Sequence, residues 1–183
     1  MNRNELFEKL KKADEEAFMV CDNHSKIDVV IGGGSVLMIN DLLPTRQTLD
    51  IDTIGNPYGG HPELKEIFEK YEINPRMNAF LFSLADNWES RLTKVNMETK
   101  ILDYYTLSLE DLVISKLNSH RPRDFNDIIE KKVIDKINWE LLQKIIDDGE
   151  VDNSFDKRRY EEFLQRYEKY KKMYGKKNET TTI

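Results

Sequence analysis

"IGGGSVLMINDLLPTRQTLDIDTIG" (residues 31–55) contains three consecutive glycines and, further on, two aspartates one residue apart. The segment IDVVI that leads into it (residues 27–31) is short and β-branched, which is typical of a buried strand. VLMINDLL, after the glycines, is apolar enough for a helix that stops before Pro44. LDIDTI alternates with a period of two and predicts another strand. We therefore expect a strand, a glycine turn, a helix and a second strand.

The glycine cluster predicts either a phosphate-binding turn or a purely structural turn. Glycines after a strand allow a sharp turn and bring backbone N–H groups close to a bound anion. The start of the following helix adds a positive dipole end, and Ser35 adds a hydroxyl donor. No lysine follows where the Walker pattern needs one, and Leu37 stands where the dinucleotide fingerprint needs a glycine. The candidate phosphate-binding positions are Gly32, Gly33, Gly34 and Ser35.

Asp50 and Asp52 predict a cation site. Residues two apart on a strand project to the same side, so the two carboxylates can share a divalent cation. Without a cation between them, like charges at that distance repel. Polymerase-type enzymes use such pairs to hold Mg²⁺ against a triphosphate. The alternative is a solvated strand edge.

Together, the glycine turn and the acidic pair resemble the signature of the nucleotidyltransferase superfamily, which has the DNA polymerase beta-like, or minimal nucleotidyltransferase, fold. In that signature a G-G or G-S turn precedes D-x-[DE] on the next strand. RQTLDID, with Arg46, Thr48, Asp50 and Asp52, resembles the R-x-T-x-D-I-D form of one bacterial and archaeal branch. That branch includes uncharacterised nucleotidyltransferase-like proteins and AbiE-type toxins. The resemblance implies an α/β (α+β) fold with a small mixed sheet flanked by helices and a C-terminal helical region.

Two downstream segments resemble the same branch: WESRL (residues 88–92) and LSLEDLVISKLNSHRPRDFNDI (residues 107–128). In the branch, a D-L-x-x-x-K-L helix is followed by R-x-[KR]-D-x-x-D-[IVL]. The matching positions are Asp111, Lys116, Arg121, Arg123, Asp124 and Asp127. The match implies that Lys116 stabilises phosphate charge and that Asp124 supports it. A surface salt-bridge cluster is the alternative.

The resemblance implies three groups of site residues. The catalytic residues are Asp50, Asp52, Lys116 and Asp124. The nucleotide-binding residues are Gly32, Gly33, Gly34, Ser35, Arg46, Thr48, Arg121 and Arg123. The metal, Mg²⁺ or Mn²⁺, is held by Asp50 and Asp52, and the candidates for a third ligand are Asp103 and Glu98. If neither candidate reaches the site, single-metal transfer or nucleotide binding without turnover is favoured.

The implied reaction is metal-dependent transfer of a nucleoside monophosphate from an NTP to an acceptor hydroxyl. By analogy with the family, the acceptor is tRNA or a protein, and the chain is part of a toxin–antitoxin or phage-defence system with a cognate antitoxin or toxin as partner. The alternative is a catalytically silent module of the same fold that binds nucleotide or a protein partner, in an antitoxin-like or regulatory role.

Length and charge set broader limits. The 183 residues suit a nucleotidyltransferase-like core (1–106), a helical region packed on it (107–175) and a disordered tail (176–183). The net charge of −6 argues against a general nucleic-acid coat and against attraction to membranes. The N-terminus lacks an apolar signal core and no run is long enough to span a membrane, so we expect a cytoplasmic protein.

The remaining candidates for metal or partner binding carry weak signals. Cys21 is the only cysteine, which excludes an internal disulfide and a zinc site built from cysteines. His24, His61 and His120 show no ligand spacing, so the sequence predicts no histidine metal site. An aromatic stripe near the C-terminus favours packing on the domain or on a second subunit of a homo-oligomer, with stacking on RNA as the alternative. The stripe consists of Tyr160, Phe163, Tyr167, Tyr170 and Tyr174.

Overall fold

The protein is described by a computed structural model that covers residues 1–21, 25–43, 48, 50–55, 58, 60–74, 84–151 and 156–175. Within these residues, eight α-helices flank one five-stranded mixed sheet, which confirms the predicted α/β class. The strands are β1 (Ile27–Ile31), β2 (Ile51–Ile54), β3 (Ile73–Asn74), β4 (Thr93–Lys94) and β5 (Leu102–Thr106). The helices are α1 (Arg3–Val20), α2 (Gly33–Ile39), α3 (Leu64–Lys70), α4 (Leu109–Leu117), α5 (Pro122–Ile128), α6 (Lys131–Ile134), α7 (Trp139–Asp147) and α8 (Lys157–Tyr174).

The sheet has the strand order β3-β2-β1-β5-β4. β1 is antiparallel to β2 and parallel to β5, while β2 and β3 are parallel and β4 and β5 are antiparallel. Ile31 at the end of β1 pairs with Thr53, the third residue of β2. The next residue, Gly32, donates its backbone N–H to the carbonyl of Asp52 over 2.9 Å. The antiparallel pairing therefore brings the glycine turn directly beside the acidic strand.

Helix α1 is attached to the sheet by an apolar face and by one buried carboxylate. Its apolar residues recur at helical spacing and are fully buried; they are Leu6, Leu10, Ala13 and Ala17. Asp14, 2% exposed, accepts backbone N–H groups from Lys100, Ile101 and Leu102 over 2.7–2.8 Å. This carboxylate satisfies the backbone N–H donors at the start of β5 and fixes the position of that strand relative to α1.

Helix α2 differs from the prediction, because it begins inside the glycine cluster and ends at Ile39. Gly33 has a φ of +59°, so the turn and the helix start coincide. At the other end, the Asn40 amide donates to the Val36 carbonyl over 2.9 Å, and Asp41 adopts a left-handed φ of 56° that stops the helix. β2 likewise begins at Ile51, later than predicted. The sequence of residues 79–84 also predicts a strand, but this segment lies largely outside the described residues. Arg46 and the predicted disordered tail (176–183) lie wholly outside them.

The C-terminal half is helical after β5, and its aromatic stripe packs on the domain as predicted. Phe163, Tyr167 and Tyr170 are buried, and the Tyr170 hydroxyl donates to the carbonyl of Ile128 over 2.6 Å. The sequence pattern from residue 124 to 133 predicts one helix, but the structure divides this segment into α5 and α6, because Glu130 is extended. None of the described helices is both long and apolar enough to cross a bilayer.

Candidate active site

The glycine turn and the acidic pair form one site through a contact between Gly33 and Asp52. A Cβ atom placed on Gly33 would lie 2.5 Å from Oδ2 of Asp52, closer than atoms can approach. The positive φ of Gly33 is also a conformation that residues with a side chain rarely adopt. The position therefore requires glycine twice over, and the absence of a side chain lets the Asp52 carboxylate lie against the backbone of the turn.

Asp50 lies beside an amide from the neighbouring strand. Asn74 on β3 is in register with Asp52, and its Nδ2 donates to Oδ2 of Asp50 over 3.3 Å. Thr48 contributes its hydroxyl to the backbone carbonyl of Asp50 over 2.9 Å. Thr48 thus shapes the segment that leads into β2, and Asn74 is the polar side chain that the structure adds to the pair.

Ser35 is buried in the turn and contacts the backbone of the segment that carries the acidic pair. Its side chain is 1% exposed, and its hydroxyl donates to the carbonyl of Asp50 over 3.4 Å. Gly33 and Gly34 are partly exposed, so their backbone is the part of the turn that a phosphate can reach.

Asp52 has a raised pKa, which results from its burial and from the charges around it. Burial raises the pKa of Asp52 to about 6, and the negative charge of Asp50 adds to the rise. Arg121 and Lys116 oppose the rise with their positive charges, while Asp124 contributes to it. The charges of the second motif therefore act on Asp52, so this motif lies near the acidic pair. A carboxylate in this state is stabilised by any further cation that binds beside it.

Lys116 is buried between two carboxylates. Its Nζ lies 2.8 Å from Oδ1 of Asp124 and 2.7 Å from Oδ2 of Asp127, and the residue is 4% exposed. Ser119 donates to the other oxygen of Asp124 over 2.6 Å. Burial acts to raise the pKa of Asp124, but the hydrogen bonds from Lys116 and Ser119 outweigh it and hold that pKa below its usual value. The cluster joins α4 to α5 and leaves little of the Lys116 charge for a ligand.

Arg121 is the more accessible cation of this motif. It lies immediately before α5 and is exposed, and its charge lowers the pKa of Asp52 more than that of Lys116 does. Arg123, the second residue of α5, is exposed as well. The structure thus separates two cations that the sequence motif groups together: Lys116 is enclosed by protein carboxylates, and Arg121 is open to solvent near Asp52.

The structure does not bring either candidate for a third carboxylate ligand to the acidic pair. Asp103 on β5 pairs with Asp28, near the start of β1, whereas the glycine turn follows the end of β1. Lys26 and Lys94 bind the Asp103 carboxylate at 3.0 and 2.6 Å. Burial acts to raise the pKa of Asp103, but hydrogen bonds from these lysines and from Thr99 outweigh it and lower that pKa to about 2. Glu98 is exposed in the loop between β4 and β5, in a cleft against α1.

Arg91 fixes the start of α4 and was not singled out by the sequence. Its Nε and Nη2 each lie 2.8 Å from the carboxylate of Asp111, and its Nη1 lies 2.7 Å from Glu150. Ser108 and Asp111, three residues apart, have the spacing that predicts a capping box at a helix start. Asp111 is fully buried, and its backbone N–H is capped by the Ser108 hydroxyl at 3.0 Å, which agrees with that spacing. Arg91 lies within WESRL, so this part of the second motif anchors the helix that carries Lys116.

Arg166 on α8 fixes the turn between α4 and α5. Its Nη1 donates to the carbonyls of Leu117 and Ser119 over 3.0 and 3.1 Å. These are the residues that precede Arg121, so α8 positions the exposed cation indirectly. Only the packing of α8 reveals this contact, because Arg166 lies in a segment with many basic residues and no distinguishing pattern.

The mixed sheet and the glycine turn against the acidic strand place the chain in the nucleotidyltransferase superfamily. The chain belongs to the family described as nucleotidyltransferases of unknown function (DUF6036), whose match spans residues 8–175. No curated protein and no solved structure matches the chain. The family match covers both motifs, from the glycine turn to the α4–α5 cluster.

Proposed function

We propose that the protein is a metal-dependent nucleotidyltransferase that moves a nucleoside monophosphate from an NTP to an acceptor hydroxyl. The contact of Gly33 with Asp52 carries the proposal, because it joins an accessible backbone turn to a carboxylate with a raised pKa. A phosphate chain on the turn and a cation on the carboxylate would then be neighbours. Membership of the family supports the reaction class.

Asp50 and Asp52 would hold the cation, Mg²⁺ or Mn²⁺. Carboxylate oxygens suit these hard cations, and a cation would relieve the repulsion that helps to raise the pKa of Asp52. Such a cation supplies positive charge to the triphosphate. Among the described residues, the polar side chain bound to this pair is the neutral amide of Asn74. Two carboxylates favour one cation over two.

The chain's own groups would bind the phosphates and hold them in place. The N–H groups of Gly33 and Gly34 would donate to phosphate oxygens, and the exposed Arg121 would supply positive charge. In the transfer, the acceptor oxygen forms a bond to the α-phosphorus, the bond between the α-phosphorus and the bridging oxygen breaks, and pyrophosphate leaves. The proton of the acceptor hydroxyl passes to solvent. Lys116 acts as a positioning residue that holds α5, and with it Arg121, beside Asp52.

The test is label transfer from NTPs in the presence of Mg²⁺. The protein is incubated with each NTP labelled at the α- or the γ-phosphate, together with total tRNA in one arm and a protein mixture in another. Transfer of the α-label alone, lost in Asp52→Ala and kept in Asp28→Asn, supports the proposal; Asp28 is an exposed strand carboxylate that pairs with Asp103. No transfer to any acceptor, with no NTP-dependent rise in Tm, would contradict the nucleotide site altogether.

The acceptor and the biological setting are further parts of the proposal. The two acceptor classes are the hydroxyls of tRNA and of a protein, and the net charge of −6 disfavours a large RNA. A place in a toxin–antitoxin or phage-defence system rests on the resemblance to the AbiE-type branch. Growth arrest on expression of the wild-type chain, absent with Asp52→Ala, would support that setting.

A second candidate function is a catalytically silent module that binds nucleotide. Two observations on the described residues favour it: the neutral amide of Asn74 lies beside the acidic pair, and two aspartates bind Lys116. This alternative predicts an NTP-dependent rise in Tm without label transfer to any acceptor. The same two measurements therefore distinguish the enzyme from the module.

A further inference from the structure

Three side chains with different ligand atoms meet away from the nucleotide site. The Cys21 thiol, the His61 imidazole and the Glu63 carboxylate have ligand atoms that all lie within 4.8 Å of one another. Cys21 follows α1 and is buried, while the His61 and Glu63 side chains are 24% and 35% exposed. Nδ1 of His61 lies 3.1 Å from Oε1 of Glu63. The cluster is therefore closed on the protein side and open to solvent on the other.

We propose that Cys21, His61 and Glu63 bind a Zn²⁺ ion, with water completing its coordination. Thiolate, imidazole and carboxylate are the three ligand types that Zn²⁺ takes in proteins, and their combination with sulfur disfavours Mg²⁺. Three protein ligands with an open side correspond to a four-coordinate ion that keeps one exchangeable position. Small movements of the side chains suffice to bring three atoms at this spacing onto one ion.

The zinc site would be separate from the nucleotide site. Cys21 lies on the segment that leads into β1, and His61 lies on the segment that follows β2. Because these two strands are antiparallel, the start of β1 and the end of β2 share one edge of the sheet. Gly33 and Asp52 lie at the other edge, after the end of β1 and at the start of β2. The ion would join the end of α1 to the start of α3.

Binding exchanges existing hydrogen bonds for bonds to the metal. Nδ1 of His61 and Oε1 of Glu63 share a hydrogen bond, which bonds to the ion would replace. When the Zn–S bond forms, the thiol proton is released to solvent, so zinc affinity rises with pH.

Cobalt substitution tests the site with a signal that only Cys21 can produce. Because the chain has one cysteine, a sulfur-to-cobalt charge-transfer band after addition of Co²⁺ reports on that residue alone. The titration is carried out on the full chain with excess Mg²⁺, which occupies the oxygen ligands of Asp50 and Asp52. We expect the band to saturate at one equivalent, to disappear on addition of Zn²⁺, and zinc to raise the Tm.

Variants assign the ligands without reference to nucleotide transfer. Cys21→Ser should abolish the band, and His61→Asn and Glu63→Gln should each weaken Zn²⁺ binding by more than the roughly 10–100-fold typical of a lost supporting contact. His120→Asn is the matched control, because His120 contacts Arg166 on another face and should leave zinc binding unchanged. No charge-transfer band in the wild-type chain, or a band unaffected by both His61→Asn and Glu63→Gln, would overturn the proposal.

Discussion

Asp52 and Asp103 lie near opposite ends of the strands of one sheet, and their pKa values are shifted in opposite directions. The pKa of Asp52 is raised to about 6 by burial and by the neighbouring charge of Asp50. The pKa of Asp103 is lowered to about 2, because Lys26, Lys94 and Thr99 outweigh the effect of burial. The Asp103 carboxylate is bound by two lysines, whereas the Asp52 carboxylate lies near a second carboxylate, that of Asp50.

This difference separates a structural carboxylate from a candidate ligand. Asp103 is satisfied by its own chain, so it stabilises the fold and has no need of a bound ion. Ionised Asp52 lowers the stability of the folded state, and the interactions of the rest of the chain compensate for this loss. A group held in this state is a functional candidate, since a bound cation would complete it.

The largest effect is expected for Asp52→Ala on nucleotide transfer. Loss of a cation ligand should lower the rate by at least roughly 1,000-fold, or about 4 kcal/mol of transition-state stabilisation. Asp103→Asn should leave the rate within about threefold of wild type, since Asp103 forms ion pairs with Lys26 and Lys94 at the opposite end of the sheet from Asp52. Label transfer at saturating NTP measures both. Equal losses in the two variants would remove the distinction between the edges.

Gly33→Ala tests the close approach of the turn to Asp52. A methyl group at this position would meet Oδ2 of Asp52 at 2.5 Å and displace the carboxylate. A displacement of this kind should lower transfer by roughly 100-fold. Gly149→Ala is the control, because Gly149 has a φ of +76° and open space around it. If both variants lose the same activity, backbone strain and not the contact is responsible.

Asn74→Asp places a third carboxylate beside Asp50 and Asp52. A third carboxylate beside Asp50 and Asp52 should tighten Mg²⁺ binding roughly tenfold, because affinity follows the number of ligand charges. The same change should lower the Tm of the metal-free protein through added repulsion. Calorimetric titration with Mg²⁺ and thermal unfolding with and without the ion measure the two effects. Unchanged Mg²⁺ affinity would mean that Asn74 does not face the cation.

Asp52→Asn should stabilise the metal-free protein in a pH-dependent way. A raised pKa means that the folded state holds its proton more tightly than the unfolded chain does, so stability is lost as pH rises through about 6. Asparagine removes this loss. The variant should therefore exceed the wild type in Tm at about pH 8 and match it near about pH 4. A Tm difference that is independent of pH would show that ionisation of Asp52 is not the cause.

The smallest effect is expected for Asp103→Asn on stability. The lowered pKa of Asp103 contributes stability that is present above its usual pKa and lost as pH falls towards about 2. Lys26 and Lys94 are about half exposed, so solvent weakens both ion pairs and the variant should lose about 1 kcal/mol at neutral pH. Urea unfolding at neutral and acidic pH measures it. A loss that is larger at acidic pH would contradict this sign.

The sequence predicted elements and motifs well where the signal is local. Strand β1, the capped start of α4 and the packing of the C-terminal stripe follow from residue type and period, because these depend on nearby residues. Lys116 and Asp124 were identified from one motif, and the structure places them together. Their mutual neutralisation could not be predicted, because it depends on the angle between α4 and α5.

The side chain that lies beside Asp50 was not predicted from the sequence, because it depends on which strands are neighbours. Asp103 and Glu98 were candidates because they are carboxylates near a predicted strand, whereas Asn74 drew no attention as an amide. The order of the strands decides which of them meets Asp50, and a strand order results from the packing of the whole sheet. The contacts of Arg91 and Arg166, and the meeting of Cys21 with His61, likewise join segments far apart in the chain.

The residues alone therefore specify the superfamily signature: glycines after a strand, an acidic pair on the next strand, and a lysine–aspartate motif downstream. These signals are local, because backbone freedom and side-chain alternation act within a few residues. Tertiary structure decided the charge state of each carboxylate, because burial and neighbours set a pKa. The antiparallel pairing of β1 with β2 placed Asp52 against Gly33, and the parallel pairing of β1 with β5 placed Asp103 at the opposite edge.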